Sequence, residues 1–262
     1  MLKRNRASTV RNILAQAAKP SRLAVMIGKL ASRYWDVKGT LSRNENLVWL
    51  QRHATDWRSS IDDLDDDLAE ETLECMRDLE EHGRKVRADL PVSLGGGACV
   101  PLLYYLTRAI EPDVVVETGV AAGFSAAAFL QALNANGRGR LYSSDFPYFR
   151  LKRPEEYIGI VVRSPLKTRW KLYLEGDKNN LPRILNNLRN IDIFHYDSDK
   201  SFRGRRTTMR LVCKMVGEPG IVIMDDIGDN SYFHDFVRET PSTRWRIDSY
   251  KEKYIGLVGD LI

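Results

Sequence analysis

A buried strand that runs through a glycine turn directly into a helix constrains this fold more than any other stretch. Residues 114–125 have the sequence VVVETGVAAGFS, in which three valines precede Glu117 and two glycines follow within the next six residues. Glycines at such a turn let backbone N–H groups approach a ligand at the start of the helix. The stretch therefore predicts an α/β domain with a binding site at this turn.

Strands and helices alternate throughout the chain after residue 98. We predict strands at 114–117, 140–144, 170–174, 191–196 and 220–224, and helices at 101–110, 125–133, 181–188 and 204–216. A final strand pair is predicted at 245–250 and 254–259. Short apolar strands separated by helices favour a parallel sheet covered on both faces. The predicted fold class is thus α/β, a mostly parallel, doubly wound sheet with a C-terminal antiparallel strand pair.

The first ninety residues have a different character. Ile61, Leu64, Leu68, Cys75 and Leu79 recur at roughly helical spacing with acids between them, which predicts a surface helix packing one stripe on the main domain. The glycine-rich sequence LPVSLGGG at 90–97 interrupts this pattern. We therefore predict a helical N-terminal extension at 1–90 and a ligand-binding domain at 91–262.

The positive charge is concentrated at the start of the chain. The net charge is +5, yet residues 1–35 contain many Lys and Arg and neither Asp nor Glu. Such a segment could contact an anionic membrane surface or a partner, stay solvated as a tail, or act as an organelle transit peptide. No feature for reading nucleic acid bases is present. The helical extension could also join identical subunits.

The composition indicates a protein of a reducing compartment. The apolar run LAVMIG at 23–28 is too short for a signal-peptide core or a membrane span. Cys75, Cys99 and Cys213 are scattered, which favours neither a disulfide framework nor a zinc site. We therefore expect a cytoplasmic location.

Carboxylates follow almost every predicted strand. In doubly wound sheets the ligand lies beyond the C-terminal ends of the strands, so these positions are the first candidates for a site. They are occupied by Glu117, Asp145, Asp177, Asp197 and the pair Asp225 and Asp226.

The first turn favours a ligand without phosphate. A carboxylate directly before the first glycine opposes a pyrophosphate, and the spacing E-x-G-x-x-x-G lacks the dinucleotide pattern G-x-G-x-x-G. S-adenosylmethionine carries an ammonium and a sulfonium that suit Glu117, and a ribose whose hydroxyls suit Asp145. The alternative is a simple strand-helix turn in which Glu117 only caps the helix.

At this point the chain resembles the class I S-adenosylmethionine-dependent methyltransferases. VVVETGVAAGFSA is similar to their first motif, LYSSDFP to their second-strand acid, and RWKLYLEGDKNNLP to their adenine-proximal loop. IDIFHYDSDKSFRGR followed by GIVIMDDI resembles the branch of small-molecule O-methyltransferases that includes macrolide-sugar enzymes and is related to catechol-type enzymes. The resemblance covers residues 99–259 and implies a Rossmann-like fold.

The resemblance implies a cofactor site at the ends of the first strands. Glu117, Gly119 and Asp145 would hold S-adenosylmethionine, with Asp177 near the adenine. The complete set of implied cofactor residues is Glu117, Thr118, Gly119, Gly123, Ser125, Asp145, Gly176, Asp177 and Asp197.

A second site is predicted beside the first. Asp197, Asp225 and Asp226 end consecutive strands, and three converging carboxylates would repel one another unless a cation lay among them. Oxygen ligands favour Mg²⁺, and in the resembling enzymes these positions hold a divalent ion. Alternatively, these acids form a solvated loop and a cap, or are kept without metal to help hold the cofactor.

Two residues are candidate bases. Lys200 could accept the acceptor's hydroxyl proton if the site lowers its pKa. His234 is predicted in a loop after Asp226, where it could face the substrate. His195 is predicted to be structural. The segment 146–171 interleaves aromatic and basic residues, which suits either a lid over the site or a surface excursion.

The sequence therefore predicts methyl transfer to a hydroxyl of a small molecule: a sugar, a glycosylated natural product or a phenol. Sugar-modifying relatives carry His at the position of Lys200 whereas catechol-type relatives carry Lys, so the acceptor stays open. Two alternatives are a nicotinamide-dependent oxidoreductase of Rossmann type and a non-catalytic cofactor-binding protein that docks through its basic arm.

Overall fold

The structure, a computed structural model, describes residues 6–34, 36, 40–60, 66–88, 90, 94–95 and 97–259. The strands are β1 Ala54–Asp56, β2 Val114–Thr118, β3 Arg140–Ser144, β4 Trp170–Tyr173, β5 Ile191–Tyr196, β6 Val216–Met224, β7 Trp245–Tyr250 and β8 Lys253–Gly259. The helices are α1 Arg6–Ala17, α2 Pro20–Tyr34, α3 Arg43–His53, α4 Asp66–Ala88, α5 Val100–Ile110, α6 Phe124–Ala135, α7 Asp177–Leu185, α8 Phe202–Val212 and α9 Tyr232–Glu239.

In the described part of the chain, all eight strands belong to one sheet with the order β1-β7-β8-β6-β5-β2-β3-β4. Every neighbouring pair is parallel except the two that involve β8, which runs antiparallel to β6 and to β7. Helices cover both faces, and the sheet divides the apolar core into two clusters. The predicted fold class, including the C-terminal antiparallel pair, is confirmed.

The order of the strands determines where a ligand crevice can form in the sheet. After the edge strand β1, the chain enters the middle of the sheet at β2 and builds outward first through β3 and β4 and then through β5 and β6. The direction reverses between β2 and β5, which opens a crevice beyond the C-terminal ends of the strands. The predicted site carboxylates lie at this edge, Glu117 within the last two residues of β2 and the others after the ends of β3, β4, β5 and β6.

Two elements differ from the sequence-based prediction. Residues 54–56 form β1, which adds a parallel edge strand beside β7 although only helix or irregular structure was expected there. Residues 232–239 form α9, so the prediction that His234 lies in a loop is wrong. In α4, Leu79 is buried, and Leu68 and Cys75 pack against the same core. Ile61 and Leu64 lie outside the described residues.

Helices α1 and α2, with the turn between them, form a unit that we call the N-terminal hairpin. It is attached to the loops that follow β3 and β4. The side chain of Asn12 donates to the carbonyl of Arg150 at 3.1 Å, and Arg22 forms an ion pair with Glu155. Val25 lies against Gly176, with its Cγ1 only 3.2 Å from where a Cβ on that glycine would stand. No helix of the described residues is long and apolar enough to cross a membrane.

The turn between β2 and α6 depends on Gly119. Its φ is +86°, and a Cβ added there would lie 2.2 Å from the carbonyl oxygen of Asp197. Its own N–H donates to the carbonyl of Ser144 at 2.9 Å. Gly119 therefore lets the ends of β2, β3 and β5 approach one another more closely than any other residue would allow.

We expect Gly119→Ala to lower the free energy of unfolding by roughly 3 kcal/mol or more, because it adds a backbone clash to the cost of positive φ. Gly137→Ala is the matched control, since Gly137 has a φ of +72° but no atom within 4 Å of its added Cβ. The control should lose only about 1 kcal/mol. Urea denaturation measures both, and equal losses would contradict the close approach.

Candidate active site

A cavity of about 340 Å³ opens at the C-terminal ends of β2, β3 and β5. This is within the size range of small-molecule sites. The structure brings eight of the predicted site residues to its wall. They are Gly119, Ser125, Asp145, Gly176, Asp177, Asp197, Lys200 and Asp226.

Asp145 joins the end of β3 to the glycine turn. Its Oδ2 accepts hydrogen bonds from the backbone N–H groups of Val120 and Ala121, at 3.1 and 2.7 Å, and its Oδ1 accepts from Phe146 N–H at 2.6 Å. Backbone donors at a helix start favour a negative charge. The carboxylate is therefore held in one orientation at the cavity wall.

Asp177 begins α7 at the far end of the cavity. Its Oδ1 accepts a hydrogen bond from the hydroxyl of Ser144 at 2.6 Å, and Gly176 precedes it with a φ of +81°. An acidic residue in the first turn is favoured by the helix dipole.

Glu117, Thr118, Gly123 and Asp225 do not line the cavity. Glu117 is fully buried, and its two carboxylate oxygens accept hydrogen bonds from the hydroxyls of Ser125 and Ser143, at 2.9 and 2.6 Å. The sequence predicts that Glu117 meets a ligand's cationic groups directly, whereas in this structure its side chain lies behind the cavity wall. Glu117 lies opposite Ser143 in the register between β2 and β3, so the two side chains are on the same face of the sheet. Glu117 thus acts on the site by holding Ser125, which does reach the cavity.

His195 lies behind this buried carboxylate. Its Nδ1 is 3.9 Å from Oε2 of Glu117, and its ring packs edge-on against Phe129. Burial lowers the pKa of His195, but the carboxylates of Glu117, Asp197 and Asp225 outweigh burial and raise that pKa above its usual value. Its place inside the sheet agrees with the predicted structural role.

Asp197, Asp225 and Asp226 meet at the other end of the cavity. One oxygen from each carboxylate lies within 4.8 Å of the others. Asp225 is 1% exposed, and its Oδ2 has no hydrogen-bond partner. A buried carboxylate oxygen without a donor costs free energy, so this oxygen is suited to a cation. The three oxygen donors fit a hard divalent ion.

The two neighbouring acids titrate in opposite directions. Burial raises the pKa of Asp225 to about 6, with the negative charge of Asp197 adding to the effect. Burial also acts to raise the pKa of Asp226, but Lys200 and Lys253 outweigh it and hold that pKa below its usual value. The negative charge of Asp225 is therefore the less well compensated of the two.

Lys200 is an ammonium partner of the acids in this arrangement. Its Nζ contacts Oδ1 of Asp197 and lies 2.8 Å from Oδ2 of Asp226. Burial lowers the pKa of Lys200, yet the surrounding carboxylates outweigh burial and raise that pKa. Among these residues alone the pKa of Lys200 is therefore raised, whereas the predicted role of a base requires that pKa to be lowered.

Sequence reasoning missed Lys253. Its Nζ lies 2.7 Å from Oδ1 of Asp226, and its side chain lines the cavity. The signal was present in the predicted strand pair. Because β8 runs antiparallel to β6, the start of β8 returns to the edge where β6 ends.

Sequence reasoning also missed Arg205. Its guanidinium, 1% exposed, donates to the backbone carbonyls of Asp225 and Asp226 at 3.0 and 2.8 Å. Asp226 has a φ of +53°, an unfavourable backbone conformation for a residue with a side chain. Arg205 therefore fixes the turn that presents both carboxylates. Nothing in the sequence distinguishes it from the other arginines of α8.

The structure does not bring His234 to the cavity. It lies on α9, where its ring packs edge-on against Trp49 with ring centroids 4.8 Å apart. Its Nδ1 is 3.2 Å from a carboxylate oxygen of Asp235. These contacts belong to the packing of α9 against α3, and His234 does not line the site.

The segment 146–171 forms an aromatic wall of the cavity. Of its two predicted roles, a lid over the site and a surface excursion, the lid requires this position. Phe146, Tyr148 and Tyr157 line the cavity. The N–H groups of Gly159 and Val161 donate to the carbonyls of Ala121 and Ala122, at 2.9 and 3.0 Å. This segment is therefore hydrogen bonded directly to the glycine turn.

Comparison with known families identifies the domain. A family model described as a methyltransferase domain matches residues 116–227, the part of the chain that contributes most of the cavity. Over these residues the chain is similar to a methyltransferase domain. The resemblance inferred from the sequence motifs is thereby confirmed, and a search of curated proteins finds no significant match.

Solved structures share the fold of this methyltransferase domain at low sequence identity. An O-methyltransferase from Bacillus cereus, in complex with S-adenosylhomocysteine, has a TM-score of 0.53 and 15% identity, covering 77% of this chain and 94% of its own. TomG of Streptomyces achromogenes is an O-methyltransferase of tomaymycin synthesis solved with S-adenosylmethionine. It has a TM-score of 0.52 and 13% identity, covering 75% of this chain and 91% of its own. The S-adenosylhomocysteine-bound methyltransferase PaMTH1 of Podospora anserina has a TM-score of 0.52 and 13% identity, covering 75% of this chain and 97% of its own. These likenesses establish the Rossmann-like methyltransferase fold.

The opposite pKa shifts of Asp225 and Asp226 should change the free energy of unfolding in opposite directions when each acid is replaced. The pKa of Asp225 is about 6 in the folded protein and near 4 in the unfolded chain. Its ionised form therefore costs folding free energy above pH 6, and this cost disappears as the pH falls below 4. With a chelator at pH 8, we expect Asp225→Asn to raise the free energy of unfolding by about 2 kcal/mol, and this gain to vanish near pH 4.

Asp226→Asn is the matched control for this measurement. Because the pKa of Asp226 is lowered, its charged form stabilises the fold above its unfolded pKa, and the substitution should lower the free energy of unfolding at pH 8. Urea denaturation at both pH values separates the two variants. A loss of stability at pH 8 in both would contradict the uncompensated charge on Asp225.

Proposed function

We propose that this protein transfers the methyl group of S-adenosylmethionine to a hydroxyl oxygen of a small molecule, with Mg²⁺ held by Asp197, Asp225 and Asp226. One observation carries the proposal. The glycine turn with Asp145 lines the same cavity as Asp197 and Asp226 of the three-carboxylate cluster, and Asp225 is buried beside them. The O-methyltransferases with which the fold is shared support the same reaction type.

The residues at the first end of the cavity fit S-adenosylmethionine. Asp145 is held at the end of β3, where a carboxylate can accept hydrogen bonds from both ribose hydroxyls. Gly176 and Asp177 begin α7 beside it and would contact the adenine. Asp197 and Ser125 offer oxygen atoms to the ammonium group on the other side of the glycine turn. Glu117 acts from behind by fixing Ser125.

The reaction needs alignment more than chemical activation. The hydroxyl oxygen attacks the methyl carbon as the bond from that carbon to the sulfonium breaks, which leaves a neutral thioether and releases the hydroxyl proton. A positive sulfonium and a developing negative oxygen attract each other most strongly where water is excluded. The aromatic wall of Phe146, Tyr148 and Tyr157 supplies that exclusion.

The acidic cluster would orient the acceptor. A bound divalent ion supplies positive charge that lowers the pKa of a coordinated hydroxyl and of the neighbouring Lys200. Lys200 lies between Asp197 and Asp226 and is our candidate for receiving the hydroxyl proton. Arg205 keeps the turn of Asp225 and Asp226 in place, and Lys253 balances the charge of Asp226.

We take the acceptor to be a sugar, a glycosylated natural product or a phenol. The cavity combines aromatic side chains with charged groups, which suits a ring that carries hydroxyls. A cytoplasmic location is part of the proposal, supported by three free cysteines in the described chain.

We expect Asp145→Ala to weaken the binding of S-adenosylhomocysteine at least tenfold, because it removes the acceptor of two hydroxyl hydrogen bonds. Asp192→Ala is the matched control. Its Oδ2 also accepts from two backbone N–H groups, those of Asp113 and Val114, but it lies at the start of β5, on the opposite edge of the sheet. The control should keep the affinity, as calorimetric titration would measure. Wild-type protein that does not bind S-adenosylhomocysteine would refute the proposal.

We expect Mg²⁺ to bind the complex with S-adenosylhomocysteine, and to bind it at least tenfold more weakly after Asp197→Asn, because one charged oxygen ligand is lost. Asp199→Asn should leave the affinity for Mg²⁺ unchanged, since the Asp199 carboxylate instead accepts from the N–H of Ser201 before α8. Calorimetric titration of Mg²⁺ into each complex tests this. Cofactor binding without any Mg²⁺ binding would retain methyl transfer and reject the metal.

A further inference from the structure

The N-terminal hairpin presents an apolar stripe to solvent. Val10 and Leu14 are 54% and 65% exposed on α1, and Leu23 and Ile27 are 41% and 57% exposed on α2. Each pair is four residues apart, so its members lie on one side of their helix. Nine large apolar side chains are exposed in the described part of the chain, and four of them are on this hairpin.

The other side of the hairpin is already in use. Asn12, Arg22 and Val25 hold it against the loops around the cavity through the hydrogen bond, the ion pair and the packing contact described above. The attached face and the exposed stripe are therefore different sides of the same two helices. An apolar stripe that the fold itself does not cover indicates an interaction surface.

The charge of this segment indicates what covers the stripe. Residues 1–35 contain eight Lys and Arg residues and no Asp or Glu. Arg11 on α1 and Lys19 in the turn between α1 and α2 are exposed. A helix with an apolar side and a basic, acid-free sequence has the composition of helices that lie in the plane of an anionic bilayer surface.

We propose that the N-terminal hairpin docks on an anionic lipid bilayer, with Val10, Leu14, Leu23 and Ile27 inserted between the headgroups and with Arg11 and Lys19 paired with lipid phosphates. Neither helix is long and apolar enough to cross the bilayer, so the contact is interfacial. The inference goes beyond methyl transfer and does not depend on it.

The charge and the apolar stripe together favour lipid over other occupants. A second copy of the chain would bring an equally basic, acid-free hairpin against the first, and the two would repel each other. Nucleic acid would satisfy the charge, but its phosphate backbone would leave the apolar stripe in water. An anionic bilayer satisfies both features at once.

The test is co-sedimentation of the full chain with vesicles of phosphatidylcholine alone or of phosphatidylcholine with phosphatidylserine. We expect binding to the anionic vesicles only, and a decrease in binding as salt is raised. Leu14→Ser and Ile27→Ser should each weaken this binding about tenfold, because each loses a buried aliphatic side chain. Arg11→Gln should weaken it about fivefold.

Each substitution has a matched control elsewhere on the surface. Leu211→Ser on α8 and Val48→Ser on α3 replace aliphatic side chains that are 41% and 45% exposed. Arg52→Gln on α3 replaces an exposed arginine. The three controls should leave vesicle binding unchanged. Unchanged affinity for S-adenosylhomocysteine and unchanged circular dichroism would establish that the hairpin variants are folded.

Three outcomes would overturn the proposal. The first is sedimentation with neither vesicle type. The second is equal loss of binding in the hairpin variants and their controls. The third is a dimer by light scattering that Leu14→Ser converts to a monomer, since a second copy would then cover the stripe. Failure of vesicle binding would leave the cofactor titrations unaffected, so it is distinguishable from failure of the proposed methyl transfer.

Discussion

The accumulation of negative charge at one edge of the sheet is the constraint on which the rest of this structure depends. Parallel strands bring their C-terminal ends together, and in this chain nearly every such end carries an acid. Each acid is compensated differently: Asp145 by backbone N–H groups, Glu117 by serine hydroxyls, and Asp226 by two lysines. Asp225 retains a buried oxygen without a partner. This difference in compensation separates the carboxylates that hold structure from those available to a ligand.

The sheet and the cavity could be predicted from the sequence because they depend on local signals. Alternating apolar segments located the strands, and 140–144, 191–196 and 245–250 match the structure residue for residue. The topology then places acids that follow different strands at one edge, which is why Asp145, Asp177 and Asp197 were found without knowing a contact. The short strand β1 has no such signal, because three residues at the edge of a sheet are too few to show an alternation of apolar and polar side chains.

Side-chain direction was the part that the sequence could not supply. Glu117 ends a strand and was expected to face the ligand, but the pleat of β2 turns it toward Ser143 within the sheet. His234 was expected in a loop, but the apolar residues around it complete a helix that packs on α3. Lys253 and Arg205 meet the acids only through long-range topology. In each case tertiary packing, rather than local pattern, decides whether a polar side chain reaches the cavity.

The hydrogen bonds from Gly159 and Val161 join the aromatic wall to the glycine turn. These two surfaces usually differ in how readily they tolerate substitutions. In the proposed function the turn would face the cofactor, whereas the aromatic wall on segment 146–171 would face the acceptor. Because the two share backbone hydrogen bonds, a shift of the wall that admits a larger acceptor also moves the carbonyls of Ala121 and Ala122. If the proposed function holds, acceptor range and cofactor affinity are therefore mechanically linked, and selection on one of them also acts on the other.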